Sequence, residues 1–194
     1  MTAWVKPQAT LRHATGMPTG RLALWWLLAS EIVIFGGLLA SYVMHRLGHP
    51  EWANQAAHTN QYIGLFNTFV LLTSSLAAVT AHRQSQLGNG KKAALYLVFT
   101  IIGGLIFAGV KFGIEWPHEI AEGFVPQSSG FWQFYYCAAG LHAAHVIAGA
   151  TVMGIVAADA YKGKELQRVE LVGIYWHFVD VVWVFLFPLL YIAK

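Results

Sequence analysis

Residues Leu22–His45 read LALWWLLASEIVIFGGLLASYVMH, twenty-four consecutive positions with one charged side chain, Glu31. Crossing the hydrocarbon core of a bilayer takes about 20 predominantly apolar residues in helical form. Lipid offers backbone N–H and C=O groups no partners, and only a helix or a closed barrel satisfies them internally. The stretch therefore reads as a transmembrane helix. Four more runs of the same kind follow, so the spans fall at about 22–45, 62–82, 93–115, 130–159 and 171–193. The connectors carry chain breakers: His49-Pro50, Gly88-Asn89-Gly90, and the pair Pro117 and Pro126. A barrel would show alternating segments of about ten residues, and none is present. The expected fold class is an all-α integral membrane protein, a bundle of five transmembrane helices. Residues 1–20, with Lys6, Pro7, Arg12 and Pro18 and no long apolar core, read as an N-terminal arm; residues 21–194 read as one five-helix domain without an internal repeat.

Composition agrees. Of 194 residues, 57% are hydrophobic and 11% charged, against about 25% charged in a soluble domain. The net charge of +3 implies no nucleic-acid partner, because the basic residues lie between apolar runs. Their distribution predicts orientation. Lys6, Arg12 and Arg21 precede the first span; Arg83, Lys91 and Lys92 separate the second and third; Lys162, Lys164 and Arg168 separate the fourth and fifth. The opposite connectors hold Arg46 with Glu51, Glu115, Glu119 and Glu122, and Lys194 ends the chain on that side. The positive-inside rule then puts the N-terminus in the cytoplasm and the C-terminus outside. The single cysteine, Cys137, excludes an internal disulfide and reads as a small buried filler.

Within the spans, polar and small residues recur at helical spacing: Asn67, Leu71, Ser74 and Ala78; Ala138, His142, His145 and Gly149; His177, Asp180, Val184, Phe187 and Tyr191. Such stripes, and the pairs Gly36-Gly37 and Gly103-Gly104, suit close packing of helices in lipid. Ionisable members ask for more. Glu31 lies nine residues into its span, roughly 13 Å at 1.5 Å per residue, near the middle of a core about 30 Å thick. Asp180 and His145 lie at comparable depth. An intramembrane carboxylate is costly unless it is paired, hydrated or protonated, so its default reading is function, with a packing hydrogen bond as the alternative. Glu31, Asn67, Ser74, His142, His145, His177 and Asp180 form the expected intramembrane polar set, proton-related or structural. His142 and His145, three apart, share a helix face, as do His177 and Asp180. A metal enzyme needs a denser ligand set than the three histidines offer, so no metal is assigned.

The stretch Tyr175-Trp176-His177-Phe178-Val179-Asp180-Val181-Val182-Trp183, with Glu170 seven residues before His177, resembles the signature of subunit III of the haem–copper terminal oxidases. Gly140 to Gly149, with its His142 and His145, resembles a second family segment in which Ala143 replaces a glycine. Ser30-Glu31 with Phe35-Gly36-Gly37 resembles the family's helix with an embedded glutamate, and Asn67-Thr68 through Ser75 a further one. Lys111 to Trp116 resembles a Gln-x-x-Glu-Tyr element, with Lys for Gln and one residue more between. The resemblance covers about residues 20–193 and implies the five-helix bacterial form in a cytoplasmic membrane. It further implies a chain without its own redox centre, beside a subunit I that holds haem and copper, with subunit II and other respiratory-complex subunits nearby. Bound phospholipid and support of proton uptake are implied as well, with electrons from cytochrome c or quinol. Arg21, Arg83 and Arg168 are the expected headgroup partners, in keeping with a cationic cytoplasmic rim. The alternatives are an accessory subunit of a nitric oxide reductase and an independent proton-coupled transporter. The transporter is disfavoured by the missing repeat and by the absence of any proline within a span before Pro188.

Overall fold

A computed structural model describes residues 19–193, so Lys6, Arg12, Lys194 and the arm up to residue 18 lie outside the described residues. The elements are α1 (Thr19–Gly48), a short α2 (Trp52–Ala56), α3 (Gln61–Gln86), α4 (Gly90–Val110), α5 (Trp116–Ala121), α6 (Gly130–Tyr161) and α7 (Arg168–Phe187). A π-helical turn, Lys111–Glu115, joins α4 to α5, and a second, Pro188–Ile192, extends α7. Among the described residues, five helical stretches are long and apolar enough to cross a membrane: Thr19–Gly48, Gln61–Gln86, Gly90–Ala121, Gly130–Tyr161 and Arg168–Ile192. The protein is a multi-pass membrane protein. The third span runs on to Ala121, past the expected end at residue 115.

Local chemistry sets several of these limits. Asn60 caps α3 by accepting from the backbone N–H of Tyr62 and Ile63 at 3.1 and 3.2 Å, which satisfies two donors that the first turn leaves free. Gly88 and Gly163, at φ +75° and +70°, close α3 and α6 in a conformation costly for other residues. Pro188 has no N–H to return to the preceding turn, and the helix widens there into a π turn, closed by Ala193 N–H to the Pro188 carbonyl at 2.8 Å.

The core lies among α3, α4, α6 and α7. Gly103 brings α4 against Ser74 of α3: a Cβ there would stand 2.5 Å from the Ser74 Cβ. Gly104 makes room for Trp176, whose indole N–H donates to Ser74 Oγ at 3.0 Å. The stripe Asn67, Leu71, Ser74 and Ala78 is buried as expected. Other positions of the expected stripes are not. Val184 is 44% exposed and Gly36 and Gly37 meet nothing within 4 Å; Cys137, expected as a buried filler, is exposed as well. The reason is shared. Apolar residues are equally at home against lipid and against protein, so hydropathy does not separate the two faces.

α1 stands at the side of this core, touching α7 and, less, α6. It buries only Leu28, Phe35 and Tyr42, one residue in seven. Polar contacts pin it along its length: Arg21 to Glu170, Glu31 to His145, Tyr42 to the Leu189 carbonyl at 2.9 Å, and Arg46 to the Ala193 carbonyl.

Candidate functional site

Glu31 and His145 meet where α1 crosses α6. Glu31 Oε2 lies 2.9 Å from His145 Nε2, with the side chains only 12% and 18% exposed. His145 Nδ1 lies 2.7 Å from the Leu141 carbonyl, which only accepts, so Nδ1 carries a hydrogen. One further proton then sits in the Glu31–His145 hydrogen bond: on the carboxyl with a neutral ring, or on the ring with a carboxylate. Both states keep the pair neutral overall, as an intramembrane position demands. The pair lines a groove of about 520 Å³ between α1, α6 and α7, otherwise largely apolar, with Leu27, Val152, Leu171 and Tyr175 among its walls.

At the end of the bundle where α1 begins, two of the three expected headgroup arginines are paired with carboxylates. Arg21 binds Glu170 at 2.5 Å, and Arg168 lies 3.3 Å from Asp159 and 3.5 Å from Glu165. Arg83 is exposed, and among the described residues no carboxylate pairs with it. Glu170 thus acts as the near-end anchor of α1 against α7.

The rest of the expected polar set does not converge on Glu31. His177 Nδ1 lies 2.6 Å from Ser75 Oγ. Trp183 donates to Thr68 at 2.9 Å. His142, fully buried, sits between Phe107 at 5.3 Å, edge-on, and Trp183 at 5.2 Å, stacked. Asn67, His142 and Asp180 have no hydrogen-bond partner for their side-chain nitrogen and oxygen atoms among the described residues. His142 and His145 therefore share a helix but not a neighbourhood. Among the described residues no group of three or more His, Cys, Asp or Glu is placed to hold a metal.

The densest polar site lies elsewhere. Lys111 and Glu115, at the two ends of the first π turn, form a buried ion pair of 3.0 Å. Lys111 Nζ also donates to Tyr135 at 2.8 Å and to Tyr191. Tyr191 donates to Glu115 Oε1 at 2.5 Å, and Tyr135 to Glu119 Oε1 at 2.7 Å. Five side chains from the first π turn, α5, α6 and the second π turn are closed into one network. The two π turns build it: the first carries Lys111 and Glu115, the second turns Tyr191 inward. A π turn holds one residue more than an α turn, which accommodates the extra residue between Lys111 and Glu115. Glu115 and Glu119 are accordingly not the exposed connector charges that the linear charge count made of them; they are 2% and 3% exposed. The legible signal was Lys111, Glu115 and Glu119 at steps of four, one helical face continuing past the apolar run.

A family model described as cytochrome c oxidase subunit III matches residues 7–194. The chain is 33% identical over 174 residues to cytochrome c oxidase subunit 3 of Corynebacterium diphtheriae, covering 86% of this chain and 84% of that one. It is 30% identical over 183 residues to quinol oxidase subunit 3 of Bacillus subtilis, covering 90% and 88%. It also matches haem–copper oxidase subunit I+III of Aeropyrum pernix, at 28% identity over 89% of this chain and 22% of that longer protein.

Proposed function

Because the chain belongs to the cytochrome c oxidase subunit III family, we propose that it is the non-catalytic third subunit of a proton-pumping haem–copper terminal oxidase. It sits against the subunit I that carries haem and copper, in a bacterial cytoplasmic membrane. The joined subunits I+III of the Aeropyrum pernix relative support that neighbour. Relatives named for either electron donor match over similar lengths, and cytochrome c or quinol is engaged by other subunits. The clustering of Arg21, Arg83, Lys91, Lys92, Lys162, Lys164 and Arg168 at one set of helix ends supports a cytoplasmic N-terminus and an outer C-terminus. The apolar groove beside Glu31 suits the acyl chain of a bound phospholipid.

The observation that carries the functional reading is the 2.9 Å contact between Glu31 and His145 at mid-membrane beside that groove. It supports proton supply to the neighbouring subunit without taking part in oxygen chemistry. Glu31→Gln keeps the shape, and its amide N–H still donates to Nε2, but the carboxyl proton is gone. The intact complex carrying this substitution is expected to assemble and reduce oxygen. Its proton uptake or turnover lifetime should fall at alkaline pH, where protons are scarce. A pH profile and lifetime equal to wild type would reduce Glu31 to a packing contact. Complete loss of oxygen reduction in the assembled complex would contradict the supporting role.

A further inference from the structure

The Lys111 network can be counted hydrogen by hydrogen. The ammonium of Lys111 has three, which go to Glu115 Oε2, Tyr135 and Tyr191. Tyr191 gives its one hydrogen to Glu115 Oε1 at 2.5 Å. Tyr135 lies 2.7 Å from Glu119 Oε1 and 3.0 Å from Glu115 Oε1, and its single hydrogen serves the shorter contact. Tyr136 donates to the Phe124 carbonyl at 2.8 Å. Every hydrogen is spent, and one acceptor remains: Glu119 Oε2 has no partner among the described residues although its residue is 3% exposed. The charge count points the same way, with one ammonium against two carboxylates. Above them lies a pocket of about 420 Å³, lined by Glu115, Glu119, His118, Glu122 and the segment from Ala57 to Ile63. The mouth is half-exposed, with His118 and Glu122 paired at 3.4 Å.

We infer that Glu119 is a proton-binding site served from the outer face of the membrane through this pocket, with the Lys111–Glu115 pair as its fixed counter-charge. The occupant is a proton and not a metal ion, because Glu119 Oε2 has almost no accessible surface and, among the described residues, no group of three His, Cys, Asp or Glu is placed to hold a metal. A proton there completes the count: one positive charge, one negative, one neutral carboxyl, which is what a poorly solvated site tolerates. The groups that face Glu119 are Lys111 and Glu115 from the π turn, His118 and Glu122 from the α5 segment, Tyr135 and Tyr136 from α6, Tyr191 from the end of α7, and His58 ahead of α3. This site is distinct from the mid-membrane Glu31 and lies toward the end of the bundle where α1 finishes; only the word outer rests on the orientation proposed above.

The test is infrared spectroscopy on the intact complex in sealed vesicles of uniform orientation. Wild type is expected to show a carboxylic C=O band that Glu119→Gln abolishes, and that responds to a pH step on the face bearing the α1 C-terminus. His118→Gln with Glu122→Gln, both at the exposed mouth, should keep the band and slow its response severalfold. A band unchanged in Glu119→Gln, or one answering only to the opposite face, overturns the inference. Should Glu119→Gln fail to assemble, the mouth variant decides: a response as fast as wild type defeats the pocket as the route. Neither readout depends on oxygen turnover, so failure here is separable from failure at Glu31.

Discussion

Replacing Lys111 by methionine isolates the energetics of the buried network. Methionine approximates the lysine stem in length and volume, so little cavity forms and the perturbation is electrostatic. Three hydrogen bonds disappear, to Glu115, Tyr135 and Tyr191, leaving the almost completely buried Glu115 carboxylate without a cation, beside a Glu119 that the inferred proton keeps neutral. Removing one partner of a buried pair costs about 3–5 kcal/mol, because the surviving charge is uncompensated. That is roughly two to four powers of ten in the folded-to-unfolded ratio. The exposed Arg21–Glu170 pair, by contrast, is worth about 1 kcal/mol at most. The double variant Lys111→Met, Glu115→Gln restores neutrality and should recover much of the loss, since neutral replacements of buried pairs are often tolerated. Thermal unfolding of the purified complex, followed as release of this subunit, measures all three forms. A single variant as stable as wild type, or a double variant no better than the single, would refute the account.

The glycines supply a contrast within the bundle. A methyl at Gly104 would lie 2.6 Å from the fully buried Trp176 ring, so Gly104→Ala should destabilise through overpacking of about 1–3 kcal/mol, against a gain in helix propensity of about 1 kcal/mol. Gly36→Ala meets nothing and should leave the unfolding temperature of this chain unchanged or slightly raised. Topology is open to direct labelling. Cysteine at Asn89 or Gly163 should react with impermeant thiol reagents only from the cytoplasmic side and cysteine at Gly123 only from outside; the reversed pattern would invert the orientation.

The five spans were legible because the requirement behind them, an unbroken apolar length, is local. The Ser74 stripe was legible too, since a polar residue amid apolar ones is best placed inward. Reading failed where the signal was not local. Gly36 and Val184 look like packing residues by spacing, yet lipid takes them as readily as a neighbouring helix would. Lys111 looked like a departure from a motif, and Glu115 and Glu119 like connector charges, because the run of apolar residues ends just before them. What places them inside is a π turn and the second one opposite, and a widened turn leaves no mark in hydropathy. His142 and His145 looked like one site from their spacing of three; their neighbours, an aromatic stack on one side and α1 on the other, belong to tertiary structure alone.

The peripheral mounting of α1 fixes an order of events during synthesis. α1 precedes the other four described spans, and its partners come late: Glu31 awaits His145, 114 residues on, Tyr42 awaits Leu189 and Arg21 awaits Glu170, 147 and 149 residues on. Until α6 arrives, a carboxyl stands in lipid with no histidine to share its proton, on a helix that buries three side chains even when docked. The remaining four spans can close their common core without it. α1 can therefore complete its contacts only after α6 and α7 have been made, and a chain truncated within α7 would lose the Tyr42 contact at Leu189.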